Sequence, residues 1–195
     1  MMKRNLFLLM VLANLAWVQS PVWAASPSAE QLAARMLDRI HEATAVPEGQ
    51  GQRVVNIFFD PDCPYCHKLY NDLRPWVGKD NLQLRWIPVA VLTPSSMTKA
   101  AAILQAPNRL QAFYENENNY DLNASGSPGG GIDPAKVVEP QTRKWIDAND
   151  AVLKRAGIYY AIPLVVFSDK AGKAELFIGA PQSADQLRAM LASVR

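Results

Sequence analysis

The sequence predicts an α/β domain made of a βαβ unit and a ββα unit, with a mostly helical stretch between the two. Apolar runs at 53–59 and 81–92 flank a first helical pattern, and two more, at 162–167 and 174–179, lie near the C-terminus. The turn between the last two runs, "SDKAGK", is too short for a crossover connection, so these strands must be antiparallel. A final helical pattern, capped by Ser183, completes the second unit.

The part of the chain ahead of the motif predicts one helix and one buried strand. A helix is predicted at 28–45, because Ser28 is a suitable N-cap and apolar residues recur at helical spacing. The run "RVVNIFF" at 53–59 is rich in β-branched and aromatic residues, which is typical of a buried strand. We therefore expect an N-terminal helix or linker over 25–50 and the main domain over 51–195.

Between the two units, about 93–160, we predict an insertion that is mostly helical. Residues 95–117 have a helical pattern interrupted by a proline, and 140–156 have another that ends at Gly157. The glycine-rich segment 120–134 is predicted to be a loop. The complete order of elements is that of a thioredoxin-like fold with a helical insertion.

The first 24 residues have the features of a cleavable export signal. Lys3 and Arg4 form a basic start, 6–18 is an apolar run, and "VWA" at 22–24 offers small residues at the cleavage positions. An uncleaved membrane anchor is the alternative. The run is short for that role, because a spanning helix needs about 20 apolar residues. We expect residues 1–24 to be removed after export.

The charge of the remaining chain is balanced. Removal of Lys3 and Arg4 lowers the number of basic residues from 20 to 18, which equals the 18 acidic ones. No block of Lys and Arg remains, so the composition argues against a nucleic-acid partner. The length suits one domain of about 170 residues, which is large enough to fold without a disulfide scaffold.

The segment "FFDPDCPYCHKLY" holds both cysteines of the chain, Cys63 and Cys66. Cys63 should lie where the first strand ends and a helix begins, so that open N–H groups and the helix dipole favour its thiolate. Such a thiolate, exposed at the surface, attacks disulfides. Cys66 lies one turn further on, where it would be more buried and would resolve the mixed disulfide. Pro64 suits the first helical turn.

Two other chemistries are compatible with the motif. C-x-x-C-H is also the attachment signature of a c-type haem, with His67 as one axial ligand and Met97 or His41 as the other. The same cysteines and histidines could form a zinc site. The preceding apolar strand, Pro64 and the later ββα unit favour redox thiols, with no metal and no cofactor. We then interpret His67 as a solvent-facing helix residue.

Two nearby acids complicate the prediction for Cys63. Asp60 and Asp62 should raise its pKa, unless their carboxylates point into water and are screened. Far along the chain, Ile162-Pro163 begins a strand. In the thioredoxin plan a cis-proline at this place packs against the two cysteines, and its neighbour pairs with a substrate chain. We therefore predict that Pro163 is cis.

The chain resembles the DsbC/DsbG family of periplasmic thiol:disulfide interchange proteins, and within it the DsbG group. The matching segments, between about 53 and 192, are "FFDPDCPYC", "RPWV", "VAVLTPSSMTKAAAIL" and "IPLVVFSDKAGKAELFIGAPQSADQL". The resemblance implies a redox-active Cys63–Cys66 disulfide, with Pro64, Tyr65, Ile162 and Pro163 as supporting or substrate-contacting residues. It implies exported substrates with disulfides or oxidised cysteines, and a membrane thiol electron donor of the DsbD type.

The sequence departs from its relatives in three ways. No N-terminal dimerisation domain is recognisable before the first strand, so we expect a monomer. Ile162 stands where those relatives tend to carry Thr, and Ile57 stands where thioredoxins have a buried acid. A disulfide isomerase or reductase, a monomeric disulfide oxidase with a DsbA-like role and, more remotely, a c-type haem electron carrier therefore stay open.

Overall fold

Across the described residues, 26–123, 129–159 and 161–195, the computed structural model contains one mixed sheet of five strands. The strands are β1 (Val46–Glu48), β2 (Arg53–Phe59), β3 (Leu82–Pro88), β4 (Leu164–Ser168) and β5 (Ala174–Ile178). Their spatial order is β1-β3-β2-β4-β5, and β2 and β3 are parallel whereas the other pairs are antiparallel. The predicted export signal lies outside the described residues.

Six α-helices accompany this sheet within the described ranges. They are α1 (Ala29–Asp38), α2 (Pro64–Leu73), α3 (Ser96–Gln105), α4 (Arg109–Asn118), α5 (Pro140–Ala156) and α6 (Ala184–Ser193). The β2-α2-β3 and β4-β5-α6 units, with α3, α4 and α5 between them, confirm the predicted thioredoxin-like fold with a helical insertion. None of the helices in this part of the chain has the length and apolar character that crossing a membrane requires.

Both faces of the central strand β2 are buried, because helices cover both sides of the sheet. Ile57 and Phe59 belong to one core cluster, which also holds buried residues of α2, α3, α4 and α6. Phe58 belongs to the other cluster, with residues of α1 and α5. Alternation of side chains along the strand divides these residues between the two cores. The motif that follows β2 is thus attached to a strand that is buried on both faces.

The ends of several helices agree with the sequence. Ser28 caps α1 in a full capping box with Gln31, and Ser183 caps α6. Gly157 ends α5 in the left-handed conformation with φ 86°, which glycine adopts without steric cost. The predicted interruption of the helix at 95–117 is also present, between α3 and α4.

The N-terminal segment differs from the prediction. The helix predicted at 28–45 ends at Asp38, and a short 3₁₀ turn and the strand β1 follow it. β1 pairs with β3 at the edge of the sheet, where the exposed Pro47 is tolerated. The segment predicted as a helix or linker over 25–50 therefore contributes a strand to the sheet.

The second predicted strand is also shorter than expected. β3 ends at Pro88, although the apolar run continues to residue 92. The backbone N–H groups of Val91 and Leu92 donate to the Asp60 carboxylate, at 2.8 and 3.1 Å, instead of pairing with a strand. The Asp60 carboxylate therefore holds residues 91 and 92 outside the sheet, next to the cysteine motif.

The side chain of Glu48 links β1 to three other elements. Its carboxylate is buried and accepts hydrogen bonds from Arg74, from Trp86 Nε1 at 2.8 Å and from Tyr114 Oη at 2.7 Å. Burial alone would raise the pKa of Glu48, but the hydrogen bonds from Arg74, Tyr114 and Trp86 hold it below its ordinary value. Burial and the hydrogen bond with Glu48 raise the pKa of Tyr114 to about 12.

Replacement Glu48→Gln should lower the free energy of unfolding at pH 7 by about 3 kcal/mol, because it leaves Arg74 without its buried counter-charge. The pKa of Glu48 is lower in the folded protein than in the unfolded chain. Its contribution to the free energy of unfolding is therefore present above the pKa of the unfolded chain and is lost as pH falls through the pKa of the folded protein. The difference between wild type and variant in urea unfolding should therefore shrink in acid.

Glu42→Gln is the matched control. Glu42 also pairs with two arginines, Arg39 and Arg155, but at the surface. Its replacement should leave the urea midpoint nearly unchanged. Equal effects of the two substitutions would contradict the role given to Glu48.

Candidate functional site

Cys63 is the N-cap residue of α2, and a short turn over residues 60–62 joins it to β2. Its backbone is extended, with φ −87° and ψ 114°, and the backbone N–H of Cys66 donates to its Sγ at 3.3 Å. Pro64 occupies the first helical turn, as predicted, where an N–H would have had no helical partner. The sulfur therefore takes the place that a serine or aspartate oxygen takes in an ordinary helix cap.

The Cys63 thiol is more covered than the sequence predicts. Cys66 is buried as expected, with 1% of its surface exposed, but Cys63 is only 2% exposed. The carbonyl oxygen of Ile162 lies 4.0 Å from Cys63 Sγ, so the loop before β4 helps to cover it. The most exposed residue of the motif is Tyr65, at 65%.

The surroundings push the pKa values of the two thiols in opposite directions. The side-chain hydrogen bond with Cys66 lowers the pKa of Cys63, and the N–H groups of Cys66 and Tyr65 add to this against the effect of burial. Burial raises the pKa of Cys66 well above its usual value, and the neighbouring Cys63 sulfur raises it further. Cys63 is thus the thiol of the pair that forms a thiolate more readily, and Cys66 is the one that keeps its proton more firmly.

Neither acid of the motif points into water. Asp60 is fully buried and accepts hydrogen bonds from Ser96 Oγ at 2.8 Å and from the Asp62 N–H at 2.9 Å, besides the two N–H groups after β3. Burial raises the pKa of Asp60, and its charge in turn raises that of Cys63, as the sequence predicts. Screening by water, the other possibility, does not apply.

Asp62 is compensated by a lysine that the sequence analysis did not identify. Lys99 Nζ of α3 lies 2.6 Å from its carboxylate, and Thr93 and Ser95 donate to it at 2.6 Å. Burial alone would raise the pKa of Asp62, but these partners, Lys99 first among them, hold it below its usual value. The insertion therefore supplies the counter-charge for an acid beside the nucleophile.

The second half of the site comes from the loop before β4. The Ile162–Pro163 peptide bond is cis, which confirms the prediction. Pairing of β4 with β2 brings this loop to Cys63, although 99 residues separate Ile162 from it in the chain. Cys63, Cys66, Ile162 and Pro163 therefore lie together.

His67 is not the solvent-facing residue that the sequence predicts. Its side chain is 17% exposed and its Nδ1 lies 3.2 Å from Oε2 of Glu117, a buried residue of α4. Its ring stacks on Tyr120 with 4.4 Å between centroids. Tyr120 in turn donates to the Asp62 carbonyl oxygen at 2.8 Å. No sequence signal indicated these contacts, because the segment "ENENNY" at 115–120 has no apolar pattern.

The same contacts argue against the haem alternative. Cys66 is packed in the core cluster beneath α2, and both ring nitrogens of His67 have partners, Glu117 and Asn71. A haem bonded to both cysteines and ligated by His67 would require the helix to leave this core. The residues therefore do not fit the group.

Comparison with known proteins agrees with the fold and the motif. A family model described as a thioredoxin-like domain matches residues 40–195. The chain is 28% identical over 162 residues to the thiol:disulfide interchange protein DsbG of Pseudomonas aeruginosa, covering 82% of this chain and 60% of that protein. It is 30% identical over 128 residues to DsbG of Escherichia coli K12, covering 66% of this chain and 48% of that protein. The chain thus spans about half the length of these relatives.

Among solved structures, a periplasmic thioredoxin-like protein from Salmonella enterica serovar Typhimurium superposes with a TM-score of 0.60 at 20% identity. The match covers 85% of this chain and 97% of that one, and it supports the fold. With the family model matching most of the sequence, the chain belongs to the thioredoxin-like domain family and is similar to the DsbG thiol:disulfide interchange proteins.

Proposed function

We propose that the chain is a periplasmic thiol-disulfide oxidoreductase that isomerises or reduces disulfides in exported proteins through Cys63 and Cys66. The observation that carries this proposal is the asymmetry of the two thiols at the start of α2. One sulfur accepts an N–H and an S–H hydrogen bond and has a lowered pKa, whereas the other is buried and has a raised pKa. A nucleophile and a resolving thiol need these different properties.

The reaction would proceed by two exchanges. The Cys63 thiolate attacks one sulfur of a substrate disulfide, forms a mixed disulfide and releases the other substrate sulfur as a thiolate. Cys66 then loses its proton and attacks Cys63 Sγ, which releases the second substrate thiolate and leaves the Cys63–Cys66 disulfide. The substrate gains two electrons and the protein loses two.

The neighbouring residues would bind the substrate chain. The carbonyl of Ile162 faces Cys63, and an extended substrate segment can pair with the backbone beside cis-Pro163 in β fashion. Pro64 and Tyr65 follow Cys63 in the first turn of α2, with Tyr65 exposed. These four residues are the substrate-contacting set that the sequence predicts.

The similarity to DsbG supports the kind of substrate and the compartment. The predicted signal over 1–24 is consistent with export to the periplasm. A membrane thiol donor of the DsbD type would return the pair to the reduced form after each reduction. This donor and the monomeric state stay predictions from the sequence.

Disulfide oxidation is the second candidate. A lowered pKa of Cys63 stabilises the reduced protein and makes the Cys63–Cys66 disulfide a stronger oxidant. The same thiols would then run the two exchanges in reverse and pass a disulfide to the substrate. The two candidates differ in reduction potential and in the redox partner.

Replacement of each cysteine by serine, one at a time, should distinguish the roles of the two thiols. Cys63→Ser should abolish reduction of a model disulfide, because no thiolate is left at the helix cap. Cys66→Ser should still attack but should accumulate mixed disulfides, detected by non-reducing gels and mass spectrometry. Clean product release by Cys66→Ser, or turnover by Cys63→Ser, would contradict the assignment.

Two refolding assays separate the candidate activities. We expect the reduced protein to restore activity to scrambled ribonuclease, and the oxidised protein to be a poor oxidant of reduced ribonuclease. The Cys63→Ser/Cys66→Ser double variant is the control in both assays. Rapid oxidation together with no recovery of scrambled ribonuclease would replace the isomerase proposal with the oxidase.

A further inference from the structure

The C-terminal part of α4 places a buried carboxylate against His67, the residue that follows Cys66. Glu117 is 1% exposed, and each of its oxygens has one partner. Oε1 accepts from Asn116 Nδ2 at 3.0 Å, and Oε2 lies 3.2 Å from His67 Nδ1. Its charge is among the causes that raise the pKa of Cys66, which places it within electrostatic reach of that sulfur.

The hydrogen bonds around His67 define which ring nitrogen faces Glu117. Asn71 Nδ2 is a donor and lies 2.9 Å from His67 Nε2, so this nitrogen is the acceptor. Nδ1 then carries the proton and donates it to Glu117. The Glu117 carboxylate therefore accepts this hydrogen bond through Oε2.

Other titratable groups also face Glu117. From α2 and the turn after it come Cys66, Tyr70 and Arg74, and Tyr120 follows on its own segment. Burial raises the pKa of Glu117, whereas the hydrogen bonds from His67 and Asn116 and the charge of Arg74 lower it. The balance is a carboxylate that binds a proton more readily than one in water.

The resolving step needs a buried group that can accept the proton of the Cys66 thiol. Cys66 must lose its proton to attack, yet it is 1% exposed and cannot pass the proton directly to water. Position 57, on the buried strand β2, is the apolar Ile57. Asp60 is close, but its two oxygens already accept four hydrogen bonds. Glu117 has fewer donors and therefore has free lone pairs.

We propose that Glu117 accepts the proton that the Cys66 thiol loses in the resolving step, and that His67 positions the Glu117 carboxylate. This inference rests on the proposed function. The S–H bond of Cys66 breaks and its proton goes to Glu117. The Cys66 sulfur bonds to Cys63 Sγ, and the substrate sulfur leaves with the electron pair of the mixed disulfide. The proton then passes to solvent past the partly exposed His67, and no further oxidant is needed.

The two chemical steps can be followed with the aromatic disulfide dithiobis(nitrobenzoate). Attack by Cys63 on the reagent releases one coloured thiolate, and resolution by Cys66 releases a second. Two phases in stopped-flow absorbance therefore report the two sulfurs separately. Absence of the first phase in the wild type would refute the proposed function itself, not only the role of Glu117.

Glu117→Gln should slow the second phase about a hundredfold at pH 7, the lower end of what general bases contribute. The first phase should keep its rate. The second-phase rate of the wild type should have an inflection where Glu117 titrates, and the variant should lack it. Glu115→Gln, an exposed carboxylate on the same helix, is the matched control and should change neither phase.

Stability measurements distinguish a proton acceptor from a structural residue. The pKa of Glu117 is higher in the folded protein than in the unfolded chain. Its contribution to the free energy of unfolding is therefore complete below the pKa of the unfolded chain and is lost as pH rises through the pKa of the folded protein. Glu117→Gln should thus be at least as stable as wild type at pH 7. An unchanged second phase, or a slower one with the wild-type pH profile, would overturn the proposal.

His67→Phe is a second variant that keeps the stacking on Tyr120 and removes the N–H. Loss of that hydrogen bond removes one cause that lowers the pKa of Glu117. The inflection of the second phase should therefore move to higher pH. An inflection that does not move would overturn the proposal independently of Glu117→Gln.

Discussion

The hydrogen bond from the Cys66 N–H to Cys63 Sγ is the contact on which the rest of the site depends. It exists because Cys63 caps α2 after a short turn that follows the buried strand β2, so that open N–H groups of the first helical turn face the sulfur. The same turn places the Cys66 side chain one step deeper, in the core. One local geometry therefore produces both a stabilised thiolate and a thiol that keeps its proton.

The helical insertion completes the active site. Three carboxylates, those of Asp60, Asp62 and Glu117, lie around two sulfurs, and each would oppose a thiolate if left alone. From α3, Ser96 donates to Asp60 and Lys99 pairs with Asp62. From α2, His67 contacts Glu117. The surroundings thus keep negative charge close to the thiols without suppressing the Cys63 thiolate.

The sequence was sufficient for most of the fold and for the cysteine pair. Strong apolar runs, helix caps and the C-P-Y-C motif are local signals, and the cis-proline followed from its order after the motif. β1 was not predicted, because a three-residue edge strand with a central proline has no periodicity to detect. Its place is determined by pairing with Trp86 and by the buried Glu48, both tertiary effects.

The electrostatic partners were the part that the sequence could not provide. Lys99, Glu117 and Tyr120 lie 36 to 57 residues beyond Cys63 in stretches with ordinary polar composition. Whether Asp60 and Asp62 point into water depends on where α3 and the turn after β3 place their donors. The burial of Cys63 likewise depends on a distant part of the chain, the loop before β4.

The account is tested most directly by titrating the Cys63 thiolate in the reduced protein, through its ultraviolet absorbance as a function of pH, with Cys63→Ser as the blank. It predicts a midpoint below the value of about 8.5 for a free cysteine. A midpoint at or above that value would show that the helix cap does not stabilise the sulfur, and would contradict the account.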